Sequence, residues 1–121
     1  RNEARVKRAE KEEIARVFAA LVVLRMIRAG KLPSEIIVAV PYGYKLLVNN
    51  SLIQLFEKHR LPPIMPQIMT ITRDMVKSPQ QVGGILASDD EVLILITSRV
   101  MSRFADICYS TGRTVYSLNV I

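Results

Sequence analysis

The chain has 121 residues, 50% of them hydrophobic, with 17 Lys and Arg against 11 Asp and Glu and a net charge of +6. A chain of this length makes one domain and can bury roughly two-thirds of its unfolded surface without a metal or disulfide staple. A single cysteine, Cys108, and a single histidine, His59, exclude a disulfide framework, a multi-cysteine zinc site and any metal site built on two histidines.

The charge is unevenly placed. Residues 1–30 carry eight Arg and Lys against four Glu, a net of +4, and residues 31–121 carry the remaining +2. Such asymmetry points to an acidic partner, such as nucleic acid or an anionic surface; the plainer reading is a solvated helix face. The longest uninterrupted apolar run, Val17–Leu24, has eight residues, against the roughly 20 that a membrane span needs. Arg25 and Arg28 follow it where a signal peptide would carry small residues. The expectation is a cytoplasmic or otherwise intracellular protein with no membrane partner and a reduced thiol.

Residues 3–29 read as one long helix, free of Gly and Pro until Gly30, which suits a left-handed C-cap. At 1.5 Å per residue it measures about 40 Å, as long as a domain of this size. Residues 1–13 are charged and read as a basic arm, with Glu3–Lys7 and Glu12–Arg16 in the favourable i,i+4 order. Within the buried half, residues 14–29, the stretch Ile14–Ile27 is apolar nearly all round, which calls for burial on more than one side. Ile14, Val17, Leu21 and Leu24 form a seam. The surplus face, Phe18, Val22 and Val23, is assigned to a second copy, so a homo-oligomer through the Ile14–Ile27 helix is expected.

Ile36–Val40 is a continuous, β-branched run that suits a strand buried on both faces. Pro41-Tyr42-Gly43-Tyr44 is a turn. Lys45–Arg60 follows as a helix; alternatively Lys45–Val48 pairs back as a hairpin and the helix starts at Asn50-Ser51. Pro62-Pro63 stops it. Ile64–Ile71 is a weaker strand. Ser78-Pro79-Gln80-Gln81 starts a helix toward Ala87, within which Gly83-Gly84 costs stability or marks close packing. Val92–Ile96 is a strand. Ser98–Thr111 is an amphipathic helix with Val100, Met101, Phe104, Ile107 and Cys108 inward and Gly112 as its cap. Arg113–Val120 is the last strand. Alternation of strand and helix implies parallel pairing through right-handed crossovers. The expected fold is α/β: a three-layer sandwich with an approximately four-stranded, mostly parallel sheet, helices on both faces, and a long N-terminal helix (1–30) preceding the compact part (31–121).

No phosphate-loop, dinucleotide-binding, nucleophile-elbow or C-x-x-C motif is present. The acidic cluster Asp89-Asp90-Glu91 precedes its strand, at the wrong edge for a metal-dependent nuclease. No cofactor, metal or catalytic residue is assigned. His59, at a helix end, and Cys108, on an inner face, read as structural. One constellation remains. Ligands of open parallel sheets bind beyond the carboxyl ends of the strands. All three strand-to-helix turns place hydroxyls and a cation there: Tyr42 and Tyr44 with Lys45, Thr72 with Arg73, and Thr97 and Ser98 with Arg99. Helix N-termini add free N–H groups and partial positive charge. The competing reading is helix caps and surface charge. Arg1, Arg5, Arg8 and Lys11 are spaced for one helix face and suit phosphate tracking. Three functions follow in order: a non-enzymatic basic module binding nucleic acid or another phosphate-bearing partner, an assembly protein oligomerising through its first helix, and an enzyme on a small phosphorylated substrate.

Overall fold

The computed structural model describes residues 2–87 and 89–121, with side chains described from Lys7 onward. Helix α1 (Asn2–Ala29) leads into strand β1 (Ile36–Pro41), helix α2 (Lys45–Lys58) and strand β2 (Gln67–Ile71). A 3-10 turn (Arg73–Val76) and the short helix α3 (Pro79–Gly83) connect to strand β3 (Glu91–Ile96). Helix α4 (Arg99–Ser110) and strand β4 (Val115–Asn119) complete the order. The four strands form one sheet in the order β2-β1-β3-β4, and every pair is parallel. The α/β class and the four-stranded parallel sheet are as the sequence pattern implies.

Position in the sheet explains the strand sequences. The central strands β1 and β3 are buried from Ile36 to Val40 and from Glu91 to Ile96, so they read as unbroken apolar runs. The edge strands β2 and β4 keep exposed positions at Gln67, Tyr116, Ser117 and Asn119. Alternate strand residues then serve two separate cores. Ile36, Val38, Val40, Leu93 and Leu95 meet Phe18, Val22, Leu52 and Phe56 of α1 and α2 on one face. Ile37, Ala39, Val92, Ile94 and Ile96 meet Val82, Met101, Phe104 and Cys108 of α3 and α4 on the other. Phe18 and Phe104 are each about 1% exposed or less and anchor the two sides. Burying one such ring is worth roughly 2–3 kcal/mol.

The element ends follow local chemistry. Gly30 closes α1 at φ 61° and Gly112 closes α4 at φ 78°, in the left-handed region that glycine enters without cost. Ser98 caps α4, its Oγ accepting the Met101 N–H at 3.4 Å, and Ser78 caps α3 by accepting from Gln81 at 3.3 Å. Residues 45–48 continue into α2 and form no hairpin.

Three expectations are corrected. The apolar half of α1 is buried on one side only: Phe18, Val22 and Val23 face the core, while Val17, Leu21, Leu24 and Ile27 remain 41–53% exposed. A second copy therefore cannot use Phe18, Val22 or Val23, because α2 and the sheet already cover them. Second, α3 stops at Gly83 rather than reaching Ala87. Third, Gly83-Gly84 marks no close packing, since a Cβ at Gly83 would meet nothing within 4 Å and one at Gly84 only ordinary contacts at 3.5 and 3.7 Å.

The direction of α1 matters for function. Its C-terminal part lies at the start of β3, where Arg25 donates to Glu91 at 2.8 Å. Further back, Glu12, Ala15 and Arg16 share a cleft with Leu47, Asn50 and Ser51 in the first turns of α2, which starts where β1 ends. Helix α1 thus runs antiparallel to the strands. Its residues 2–11 extend past the carboxyl ends of the strands, and Lys7 to Lys11 are all exposed.

Candidate anion-binding edge

The carboxyl edge of the sheet is built by three turns. After β1, Tyr44 N–H closes a turn onto the Pro41 carbonyl at 3.2 Å, with Gly43 at φ 94°. The ring of Tyr42 is 90% exposed, whereas Tyr44 packs partly against the α1/α2 core. Lys45, exposed, starts α2 on that same face. After β2, the chain turns to the opposite face. Thr72 is exposed and its carbonyl accepts the Met75 N–H at 3.1 Å, which winds Arg73–Val76 into a 3-10 turn. After β3, the Ser98 carbonyl accepts the Ser102 N–H at 3.0 Å and α4 opens with Arg99.

Because β2 and β3 flank β1, and both are followed by segments on the α3/α4 face, the two turns converge beyond the end of β1. There they flank an open cavity of about 290 Å³ lined by Arg73, Val76, Lys77, Arg99, Val100 and Arg103. Two segments each contribute two cations to its lining. Arg73 and Lys77 are one turn apart in sequence, as are Arg99 and Arg103. Lys77 reaches Asp74 at 2.9 Å. Among the described residues, Arg73, Arg99 and Arg103 form no salt bridge or side-chain hydrogen bond. A cavity with four cations and one neighbouring carboxylate suits a multiply charged oxyanion. Arginine forks bind phosphate through two parallel N–H···O bonds.

The structure therefore joins two of the anticipated cations, Arg73 and Arg99, and separates a third group. Tyr42, Tyr44 and Lys45 stand at the same edge but on the α1/α2 face, and none lines this cavity. Ser98 is beside the cavity but its Oγ is engaged as the α4 cap, and Thr72 precedes Arg73 without lining it. The arm cations Arg8 and Lys11 are exposed at the same end of the molecule, Arg8 bonded to Glu12 at 3.4 Å. Arg1 and the Arg5 side chain lie outside the described residues. Lys77 and Arg103 were not anticipated. Their signal was the i,i+4 repeat from Arg73 and from Arg99, which is meaningful only once both segments are known to share a face.

The acidic cluster Asp89-Asp90-Glu91 sits at the other end. Asp90 Oδ2 accepts the Ala87 N–H at 3.0 Å and Glu91 holds Arg25, both at the amino edge of β3. Among the described residues, no three of His, Cys, Asp and Glu are grouped to share a metal ion, and no helix is long and apolar enough to cross a membrane. Comparison of the chain with protein-family models, curated proteins and solved structures gave no match.

Proposed function

We propose that the protein is a non-enzymatic basic binding module that engages nucleic acid through its phosphates at the carboxyl edge of the sheet. One observation carries the reading: four cations, Arg73, Lys77, Arg99 and Arg103, line a single cavity. The direction of α1 supports it, because Arg8 and Lys11 of the arm stand at the same molecular end. Phosphate contacts of this kind give affinity and orientation without sequence choice.

The test is a salt series with a generic duplex and a single strand. Affinity for duplex falls with log salt by about 0.9 per phosphate neutralised. Replacing Arg99 and Arg103 together by Ala is expected to weaken duplex binding at least tenfold and to lower that slope by about 1.8. Charge reversal at Arg5 and Arg8 is expected to add a further loss. Absence of binding by the unaltered chain at low salt, or binding indifferent to the Arg99/Arg103 change, overturns the reading.

A second reading, self-assembly through the α1 helix, is favoured by a separate observation. The outer side of α1 exposes Val17, Leu21 and Leu24.

A further inference from the structure

One outward flank of α1, on the side toward β4, repeats every seven residues. Glu10, Val17 and Leu24 form one series, and Ile14, Leu21 and Arg28 form the other. On a helix these six positions make a single stripe. It runs beside the buried row Ala15, Phe18, Ala19, Val22 and Met26. Val17, Leu21 and Leu24 are 41–42% exposed, and Ile14 is half-buried at the margin. Glu10 and Arg28 are exposed, and among the described residues neither forms a salt bridge. The stripe thus has an apolar middle, one acidic end and one basic end. Leu21, Leu24 and Arg28 also line a groove of about 500 Å³ between α1 and the edge strand β4, where Tyr116 and Leu118 form the far wall.

We propose that the stripe is the seam of a two-fold homodimer in which α1 pairs antiparallel with α1 of a second copy, an inference that rests on the self-assembly reading above. Antiparallel heptad pairing sets one series against the other. Val17 then meets the partner subunit's Leu21, Ile14 meets the partner subunit's Leu24, and Glu10 meets the partner subunit's Arg28. The symmetry axis repeats each layer in reverse. The stripe spans about 27 Å along the helix. The apolar layers hold the pair together and the charges orient it. Exposed ion pairs contribute little affinity, but a parallel arrangement would set Glu10 against Glu10 of the partner subunit and Arg28 against Arg28 of the partner subunit. The incoming helix covers the open rim of the β4 groove, because the same leucines line both. This self-complementarity in size and charge selects a second copy of this chain as the occupant.

Sedimentation of the full chain over a wide loading range is expected to show a monomer–dimer equilibrium. Leu21→Glu is expected to give a folded monomer, with unchanged circular dichroism. Glu10→Arg and Arg28→Glu are each expected to weaken the dimer several-fold, and the double exchange to restore it. Those two exposed sites keep the test open if Leu21→Glu fails to fold. Orientation is read by disulfide trapping: a mixture of Glu10→Cys and Arg28→Cys chains is expected to cross-link, and Glu10→Cys alone not to. A dimer that traps Glu10→Cys with itself, or ignores the charge exchange, overturns the antiparallel register and leaves self-assembly standing. A monomer at every loading overturns both.

Discussion

Arg25, Glu91 and Tyr116 tie three elements together at the amino edge of the sheet. Arg25 of α1 donates to the Glu91 carboxylate of β3 at 2.8 Å, and its guanidinium lies 4.3 Å from the centre of the Tyr116 ring of β4. Glu91 is the one buried charged residue among the described ones, at 6% exposure. Removing its partner would strand a carboxylate in a poorly solvated site. Arg25→Ala is expected to cost about 2 kcal/mol, less than the ~3–5 of a fully buried pair because part of Arg25 reaches solvent. Replacing Arg25 by Met and Glu91 by Leu together is expected to recover most of that loss in urea unfolding. This pair was illegible in the sequence, since its members are 66 residues apart and meet only through the order of the strands. Cys108 is a different case. Its burial beside Phe104 was legible from helical spacing. Burial pushes its thiol from 9.0 up to about 11, while the charge of Arg113 pulls the other way. The folded state therefore favours the neutral thiol. Its contribution is intact below the ordinary thiol value and declines as pH rises from about 9 toward about 11, by about 1.4 kcal/mol per pH unit. Urea midpoints measured below and within that window should show the decline, and Cys108→Ala should remove it.

Among the elements, the strands and the four helices were legible; the buried side of α1 and the end of α3 were not. The aliphatic runs of β1 and β3 announce central strands. Helix α4 announces its inner face because polar residues occupy the opposite one. Helix α1 gives no such signal. Between Ile14 and Ile27 both sides are apolar, so periodicity cannot choose between the row with Phe18 and Val22 and the row with Val17 and Leu21. Packing chooses: Ala15 and Ala19, buried to 1% or less, allow α2 to approach closely on their side. Helix α3 shows the reverse error, a helix drawn too long. Its cap at Ser78 is real, but Gly83-Gly84 removes the propensity to continue. Gly83 has helical surroundings with open space at its Cβ position. Gly83→Ala is expected to raise stability by about 0.5–1 kcal/mol, and a lowered thermal midpoint would contradict that account of the helix end.

At the scale of the molecule, the strand order decides what the carboxyl edge can present. The sequence placed cations at three strand ends, but it could not say which would meet. The order β2-β1-β3-β4 sends the segments after β2 and β3 to one face and the segment after β1 to the other. Arg73 and Arg99 therefore converge with Lys77 and Arg103, and Lys45 is left across the sheet. If the cavity is the seat of phosphate binding, Lys45→Ala should reduce duplex affinity much less than Arg99→Ala at the same salt.

The same strand order also governs how the chain can fold as it is made. Strand β1 is central, and its register with β3 joins Ile36 to Glu91. Neighbours in the finished sheet are thus about 55 residues apart along the chain. While the first half emerges, α1 and α2 can associate, but β1 has only one flank to form until β3 arrives. Non-local parallel pairing of this kind slows folding, because a long loop must close before contacts reward it. In that interval the unpaired side of β1 and the apolar sides of α1 are open to other chains. A nascent chain of this fold has a period of aggregation risk that ends when Val92–Ile96 pairs with β1.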